Sequence, residues 1–418
     1  MDADHYHRLL KAIADSGEAA TIDDAVARFS QFGVTVDLGD AEVLGEADQI
    51  IALTIINAAS RSFRGNVALR GRSDMPLTVR GYAGCTIATA LASAGAVQTL
   101  ASDAWSRIAV GPQARESRGA GAIAPWADGW TFGIGDKEGS PTAAAAASVA
   151  AAGLAVSEAF SILRKDNVYA GKRNISMSLW SAVGGTGDGP RNASVPACWL
   201  IGLGHLGQAA AWTLGFMSPG PDRTVVLQDV DHVTASTLST SMLSAESDQS
   251  RSKARVTADW LEHRGHRTKL VERRFDASQR VHPLEPRIAL FGVDNTAARR
   301  AIESAGFALA IDVGLGAGYQ DFRGIRVRTF PGSSRAAHLW AGGSQAPVSM
   351  APAYQALLAS GADACGVTTL ASRAVGAPFV GCVAAALGVA ALLQASEGGT
   401  LFSVIDLNLR NPDRMVSA

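Results

Sequence analysis

The sequence predicts an α/β protein built from two doubly wound parallel sheets in tandem, the first a degenerate copy of the second. Three observations support this fold class. Short apolar runs alternate with helical segments through the second half of the chain, the order typical of a parallel sheet covered on both faces. A glycine-rich turn follows one of these runs. Similar segments without such a turn recur in the first half.

Length and composition are those of a large globular protein. The 418 residues are enough for two or three domains. Apolar residues make up 47% and charged residues 18%, so a sizeable core is expected. With 37 basic and 38 acidic residues the net charge is −1, which argues against a nucleic-acid partner. The four cysteines show no CxxC spacing, which argues against structural zinc.

Two alanine-rich stretches, 142–156 and 377–393, approach the length of a membrane span. Both fall short of the roughly 18–20 residues that a span needs, so they predict buried helices and no membrane partner. The opening MDADHYHRLL is polar and lacks the apolar core of a signal peptide. We therefore expect a cytoplasmic protein.

The first half, 1–180, resembles a degenerate copy of the second half. Its predicted elements are a strand at 33–39, a helix at 48–62, strands at 65–71, 105–111 and 130–136, and a helix from 142. Arg107 to Thr131 and Arg287 to Ile311 both span 24 residues. The strand at 33–39 runs into DAEVLGEA and no glycine-rich turn. The first half is therefore predicted to keep the sheet without a phosphate site, with chance similarity of Ala/Gly-rich segments as the alternative.

A stretch rich in Gly, Asp and Asn at 181–196 is the predicted linker to the second domain, 197–418. Turn-forming residues with few large apolar ones are typical of domain boundaries. In this domain strands and helices are predicted to alternate: strands at 197–204, 223–231, 268–275, 287–295 and 308–316, and helices at 205–217, 250–265 and 296–307.

The turn itself is GxGxxG, formed by Gly202, Gly204 and Gly207. Such a turn lets the backbone approach phosphates, and the helix that follows offers free N–H groups. Asp229 and Asp231 end the next strand, where an acidic residue hydrogen-bonds ribose hydroxyls in many nucleotide sites. These features fit NAD and ATP equally, and a tight turn without a ligand is the third alternative.

Two further residues favour ATP. Lys253 opens the next helix and offers a cation for a triphosphate. Asp294 ends a later strand at the same edge of the predicted sheet, and Mg²⁺ prefers oxygen ligands together with bridging phosphates. Each residue alone is more often a surface charge, but both at one edge favour MgATP over a dinucleotide.

From about residue 197 to 412 the chain resembles the ThiF/MoeB/ubiquitin-activating enzyme superfamily. The resemblance rests on the order and spacing of LIGLGHLG, LQDVDHVTASTL, Lys253, FGVDNTAARRAI, IDVGLGAG, CGVTTLASRAVGAPFVGCVAAALGVAALL and VIDLNLRNP. Members adenylate the C-terminal carboxylate of a ubiquitin-like protein or peptide with MgATP. The resemblance implies that the glycine turn binds the ATP phosphates, with Asp231 at the ribose, Lys253 at a phosphate and Asp294 at Mg²⁺.

The active unit of that superfamily is a pair of such folds, often one active and one inactive. The resemblance thus implies that residues 1–180 are the inactive partner, fused in one chain as in some bacterial relatives. It also implies a conjugating-type enzyme as a downstream partner. Whether two chains associate as a homodimer is left open by the sequence.

One departure from the superfamily pattern concerns a cation. Where the pattern is Asn-Leu-x-Arg-Gln, residues 237–241 read Thr-Leu-Ser-Thr-Ser, and Thr240 takes the place of the phosphate-binding arginine. The replacement candidates are Arg251 and Arg255 beside Lys253, and Arg61 and Arg64 of the first half. The zinc cysteines of many members are also missing from this sequence.

Cys365 is the predicted acyl acceptor. A helix signal follows it at once, and the positive end of a helix favours the nucleophilic thiolate. The superfamily places its thioester-forming cysteine at this point of the chain. The alternative is a small buried hydrophobe, as expected for Cys382. Residues 330–365 would be the crossover segment, in which the Gly/Ser/Pro-rich stretch 330–349 is predicted to be mobile.

Two other functions stay open at this point. A nicotinamide-dependent oxidoreductase could use the same turn, although it gives Lys253 and Asp294 no role. A non-catalytic scaffold of the same fold is the other, and Thr240 in place of arginine favours it.

Overall fold

The computed structural model describes residues 6–98, 101–119, 121–181, 189–190, 192–222, 224–341 and 350–418. Of the predicted linker, residues 182–188 and 191 lie outside this set. So do residues 342–349 of the stretch predicted to be mobile.

The first half contains six helices and seven strands within its described residues. In chain order these are α1 (Lys11–Asp15), α2 (Ile22–Phe29), β1 (Val34–Asp37), α3 (Glu46–Ser62), β2 (Asn66–Arg70), α4 (Ile87–Ser93), β3 (Val97–Gln98), β4 (Ser106–Ala109), α5 (Pro112–Glu116), β5 (Pro125–Asp128), β6 (Thr131–Ile134), α6 (Ala145–Arg164) and β7 (Ile175–Ser178).

The second half continues the alternation of strands and helices. Its elements are β8 (Cys198–Ile201), α7 (His205–Gly215), β9 (Thr224–Gln228), α8 (Ala235–Leu238), α9 (Lys253–Glu262), β10 (Arg267–Val271), β11 (Ile288–Phe291), α10 (Thr296–Arg300), β12 (Leu309–Leu315), β13 (Gly324–Phe330), α11 (Ala336–Leu339), α12 (Pro352–Ala359), α13 (Ala364–Ser372), α14 (Pro378–Glu397), β14 (Val404–Asn408) and β15 (Val416–Ser417). Short 3₁₀ turns lie at Glu246–Asp248, Ile302–Ala305 and Pro412–Arg414.

The larger sheet has eight strands in the order β10-β9-β8-β11-β12-β13-β14-β15. The pairs from β10 to β12 are parallel, as predicted. The pairs from β12 to β15 are antiparallel, and these three added strands were not among the predicted ones. The connection from β12 to β13 is short, and a short connection can only return antiparallel, since a parallel neighbour needs a long crossover.

The first half forms a four-stranded parallel sheet in the order β3-β2-β1-β4. The strands β10-β9-β8-β11 of the larger sheet stand in the same relative order. The equal 24-residue spacings predicted two pairs of matching strands, and the structure shows a match only for the first pair. β4 and β11 hold equivalent places, but β6 lies antiparallel between β5 and β7, whereas β12 runs parallel beside β11.

The core of the molecule is shared by both halves. Helices α6 and α14 are each 20 residues long and apolar enough to cross a membrane, but 89% of each apolar window is buried inside the protein. The two helices pack against each other, α6 also against α3 and α14 against α7. Gly153 allows the close approach, because a Cβ there would lie 2.6 Å from the Phe379 carbonyl oxygen. One hydrophobic cluster therefore includes residues of both halves.

An aromatic cluster joins the halves a second time. Tyr82 of the first half lies beside Trp212, Phe216 and Trp260 of the second, with ring centroids 6.2–6.4 Å away. The Arg264 guanidinium stacks on the Trp260 ring at 3.2 Å and lies 5.4 Å from the Tyr82 ring. The two sheets are therefore held together by packed side chains at more than one place.

Candidate functional site

The glycine-rich turn lies between β8 and α7, and each glycine has its own physical reason. Gly202 has a φ of +84°, a conformation that L side chains rarely adopt. A Cβ at Gly207 would lie 2.0 Å from the Gly202 carbonyl oxygen, so the helix can pack on the turn only without one. At Gly204, the N-cap of α7, a Cβ would meet no atom within 4 Å. The turn is therefore open at the helix N-terminus, where an anion binds best.

Asp229 holds this turn in place. One of its carboxylate oxygens accepts a hydrogen bond from the Leu203 N–H at 2.6 Å, and the other accepts from the Asp231 N–H at 2.8 Å. Asp229 was predicted to contact the nucleotide, but both of its carboxylate oxygens accept hydrogen bonds from backbone N–H groups. Asp231, whose side chain is 58% exposed, is the better placed of the two for a ribose.

Lys253 and Asp231 lie together, as the predicted site requires. The Lys253 Nζ is 3.2 Å from an Asp231 carboxylate oxygen, and the Lys253 N–H donates to the Asp231 carbonyl at 3.0 Å. The lysine side chain is only 14% exposed. A cation is therefore held in place at the first residue of α9, beside the ribose candidate.

Asp294 follows β11, the strand that pairs with β8. The Gly292 N–H donates to the Ile201 carbonyl at 2.8 Å, so this strand end adjoins the glycine turn. The Asp294 side chain is exposed and makes no hydrogen bond or ion pair to the described residues. Among those residues no group of three or more His, Cys, Asp or Glu side chains could hold a metal ion. A metal here would depend on Asp294 and the ligands that a nucleotide brings.

His205, the first residue of α7, joins the turn to the start of α14. Its Nε2 lies 3.0 Å from the Ala377 carbonyl oxygen. Burial lowers the pKa of His205 to about 4, so the ring is neutral at physiological pH. This contact agrees with a helix-start residue and gives the ring no proton to donate to a substrate at neutral pH.

Gln208 is a residue that the sequence reasoning missed. It is fully buried, and its Oε1 accepts hydrogen bonds from the Leu243 and Ser244 N–H groups at 2.9 and 3.0 Å. Its Nε2 donates to the Leu203 carbonyl at 3.2 Å. Gln208 thus links the glycine turn to the loop after α8. The available signal was one amide in an otherwise apolar helix, directly after Gly207.

The loop after α8 contains the threonine that replaces the superfamily's arginine. Thr240 is buried, and a Cβ at Gly376 would lie 2.6 Å from its Cγ2. Arg61 of α3 supports the same loop from the other side. Its guanidinium donates to the carbonyls of Leu238, Ser244 and Met242 at 2.7–3.2 Å. Burial lowers the pKa of Arg61 to about 10, so it stays charged at neutral pH.

The other three replacement candidates differ in their partners. Arg251 pairs with Asp248 and Asp259. Arg255 pairs with Asp259 and Glu262. Arg64 is exposed and makes no hydrogen bond or ion pair with any residue that the structure describes. Of the four arginines, Arg64 is the one that makes neither a hydrogen bond nor an ion pair to a described residue.

Arg61 and Arg64 line a cavity of about 600 Å³ between the two halves. Its opposite wall is the loop after α8, with Leu238, Ser239 and Ser244. Phe29 and other apolar side chains complete the lining. The cavity therefore lies on the side of this loop that faces the first half.

Cys365 is exposed, whereas Cys198 and Cys382 are buried and Cys85 is partly buried. Burial raises the pKa of both Cys198 and Cys382 to about 12, which makes them inert. Cys365 lies inside the first turn of α13 and not just before the helix. The N-cap is Asp363, whose carboxylate accepts from the Gly366 N–H at 2.7 Å. The thiol is thus open to solvent beside a capped helix end.

The parallel strands β10 to β12 and the glycine turn between β8 and α7 define an α/β protein of the doubly wound class. The chain belongs to the BilD family: the BilD C-terminal domain matches residues 195–399 and the BilD N-terminal domain matches residues 33–179. A relative in Collimonas sp. (strain OK412), the bacterial E1-like protein BilD, is 39% identical over 425 residues and covers 97% of this chain and 91% of that protein. This supports the E1-like superfamily predicted from the sequence.

Solved structures of E. coli MccB are also similar to the chain. MccB alone matches with a TM-score of 0.38 and 14% identity over 54% of this chain and 63% of that chain. MccB with ATP matches with a TM-score of 0.38 and 14% identity over 54% and 64%. The chain thus spans less than two thirds of MccB.

Proposed function

We propose that this chain uses MgATP to adenylate the C-terminal carboxylate of a ubiquitin-like protein or related peptide, and then transfers the acyl group to Cys365. One observation carries the adenylation step: an open glycine turn, held by Asp229, stands at the same edge as the Asp231–Lys253 pair. The BilD family membership supports it, because a relative is named E1-like.

Each group at this edge has a task in that reaction. The free N–H groups of α7 and the Lys253 ammonium stabilise the negative charge that moves onto the phosphates. Asp231 hydrogen-bonds the ribose. Asp294, which is exposed and makes no hydrogen bond or ion pair to a described residue, would hold Mg²⁺, which favours carboxylate and phosphate oxygens. Because the attacking carboxylate is already ionised, the step needs no general base.

The reaction balances in two transfers. A carboxylate oxygen bonds to the α-phosphorus of ATP, and the bond to pyrophosphate breaks. The Cys365 thiolate then attacks the acyl carbon, and AMP leaves with the electron pair of the broken acyl–oxygen bond. The exposure of Cys365 supports this second transfer.

Arg64 is our candidate for the missing phosphate cation. Arg251 and Arg255 are neutralised by carboxylates, and Arg61 is committed to the loop carbonyls. Arg64→Ala is expected to weaken ATP binding. Arg251→Ala, which removes an arginine already paired with Asp248 and Asp259, is the matched control and should leave the ATP affinity unchanged. Equal ATP affinity in wild type and Arg64→Ala would exclude Arg64 from this role.

The first half is proposed to be the inactive partner fold. Its strand order matches that of the larger sheet. At the end of β1, the position equivalent to β8, stands the buried carboxylate of Asp37, which pairs with Arg107 and accepts from the Gly39 N–H. No GxGxxG turn follows β1, which supports the loss of the phosphate site in this half. A conjugating-type enzyme as partner and a cytoplasmic location remain predictions from the sequence.

The decisive experiment is ATP–pyrophosphate exchange with the purified chain and candidate small ubiquitin-like proteins that end in Gly-Gly. Exchange is expected with wild type and with Cys365→Ala, because adenylation does not use the thiol. A thiol-cleavable adduct is expected with wild type and with the control Cys85→Ala, but not with Cys365→Ala. If the chain binds a nicotinamide cofactor and shows no pyrophosphate exchange, the oxidoreductase is favoured. If it shows neither activity but still binds its protein partner, the scaffold is favoured.

A further inference from the structure

Helix α13, which bears Cys365, is attached to the body of the protein by few side chains. Its buried residues are Val367, Leu370 and Ala371, and none of them lies in the first three positions of the helix. The preceding helix α12 buries only Ala353 and Tyr354. The thiol thus stands at the less anchored end of the helix pair.

The other end of α13 leads towards the nucleotide edge. The Val375 N–H donates to the Ala317 carbonyl, next to the end of β12, and Gly376 packs on Thr240. Nine residues of helix, roughly 13 Å at about 1.5 Å per residue, form the body of α13. Cys365 lies near the opposite, N-terminal end of this helix.

A buried polar network from the first half fixes both helices. The Lys11 Nζ donates to the two Asp15 carboxylate oxygens at 2.7 Å, to the Tyr354 hydroxyl at 3.2 Å and to the Ala371 carbonyl at 2.9 Å. The Tyr354 hydroxyl in turn donates to Asp15. Arg8 adds a bond from its Nε to the Ala374 carbonyl at 2.9 Å.

This network is shielded from solvent. Lys11 is 6% exposed, and an ammonium at the last carbonyls of α13 complements the negative end of the helix dipole. Burial lowers the pKa of Lys11 and raises that of Tyr354. Both partners are therefore desolvated, which makes each hydrogen bond count for more than at a surface.

We propose that Lys11, Asp15 and Tyr354 are positioning residues for the thioester step: they hold α12 and α13, and with them Cys365, in the arrangement that this structure shows. Their release lets Cys365 reach the acyl-adenylate. This inference rests on the proposed function. It predicts that a weaker network speeds the transfer to Cys365 and leaves adenylation unchanged.

Tyr354→Phe tests it with the least disturbance, because it removes the hydroxyl and keeps the ring. We expect the rate of thioester formation in a single turnover to rise about threefold to tenfold, the worth of about one buried hydrogen bond. Pyrophosphate exchange is expected to stay within twofold of wild type. Tyr169→Phe, at a ring that is 66% exposed, is the matched control and should change neither rate.

Hydrogen exchange tests the network without any substrate. Amides of 352–359 and 364–372 should exchange faster in Tyr354→Phe and those of α7 should not. Unchanged exchange in α12 and α13, or a thioester rate that is unchanged or lower, would overturn the proposal. If wild type shows no thiol-cleavable adduct, the proposed thioester step fails, and the exchange experiment still decides whether the network holds the helices. Lys11→Met is the stronger variant, used only where its circular dichroism shows a native fold.

Discussion

Gly204 and Gly207 lie three residues apart in one turn, yet a methyl group at each is expected to act differently. At Gly204 a Cβ meets open space, so Gly204→Ala should lower the unfolding free energy by less than about 1 kcal/mol. It should still reduce ATP affinity at least about tenfold, because the methyl occupies the space where the phosphates approach the backbone. Denaturant unfolding and calorimetric ATP titration measure the two effects.

Gly207→Ala is the companion variant. Its Cβ would lie 2.0 Å from the Gly202 carbonyl, so the turn or the helix must shift, at roughly 2–4 kcal/mol of stability. Equal losses of stability in the two variants would contradict the assignment of an open face to Gly204.

Asp294→Ala is expected to remove the Mg²⁺ dependence of ATP binding and leave the fold intact. The Asp294 carboxylate is exposed and makes no hydrogen bond or ion pair to a described residue. Its loss therefore leaves no buried group among those residues without a partner. ATP affinity measured with Mg²⁺ and with EDTA checks this. Asp276→Ala, another exposed carboxylate that bonds only Ser278, serves as control. An unaltered Mg²⁺ effect in Asp294→Ala would exclude the metal role.

At the scale of elements, the contact between α7 and α14 should make the fold sensitive to acid. The pKa of His205 is lowered by burial from 6.5 to about 4, so between these values the folded state binds fewer protons than the unfolded chain. The stability from the neutral ring is complete above pH 6.5 and is lost as the pH falls towards 4, by on the order of 1 kcal/mol per unit.

Denaturant midpoints at pH 7.5 and 5 measure this. His205→Gln should lose less stability between the two pH values than wild type does, and His338→Gln, at an exposed position, should behave like wild type. An identical loss in all three proteins would show that another group carries the pH dependence.

The elements nearest the site were predictable because their signals are local. A buried apolar run, a glycine turn and an alanine-rich helix identify β8 and α7 without reference to the rest of the chain. The hairpin of β12 and β13 was not predicted, because glycines and charges interrupt the sequence between the two strands. Sheet direction there depends on the length of that connection, which the alternation pattern does not reveal.

The sequence predicted which residues stand at the site but few of the contacts that they make. That Asp231 and Lys253 meet could be expected from their places at one sheet edge. The use of Asp229 as a clamp on Leu203 could not, since it depends on which oxygen faces which N–H. Arg61 reaches a carbonyl 177 residues away, and no spacing in a single sequence indicates a contact across such a distance.

For the whole molecule we expect one cooperative unfolding transition. The hydrophobic cluster spans both halves, and Tyr82 lies among the tryptophans of the second half. Far-UV circular dichroism and tryptophan fluorescence should therefore report one midpoint in urea. Two separated transitions would show that the halves are independent domains.

Tyr82→Ala should lower that single midpoint by removing roughly 3 kcal/mol of packing, with both signals moving together. Tyr169→Ala, at an exposed ring, should leave it in place. A shift seen by only one of the two probes would contradict the shared core.

The pairing of α6 with α14 also bears on how the chain is made. α6 ends at Arg164 and α14 begins at Pro378, so one leaves the ribosome roughly 210 residues before the other. At about 5–20 residues per second, translation needs on the order of 10–40 s to supply the partner. For that time the face of this 20-residue apolar helix that packs on α14 has no native surface to cover it. The nascent first half is therefore a natural substrate for a holding chaperone, and faster elongation after residue 164 should raise the soluble yield.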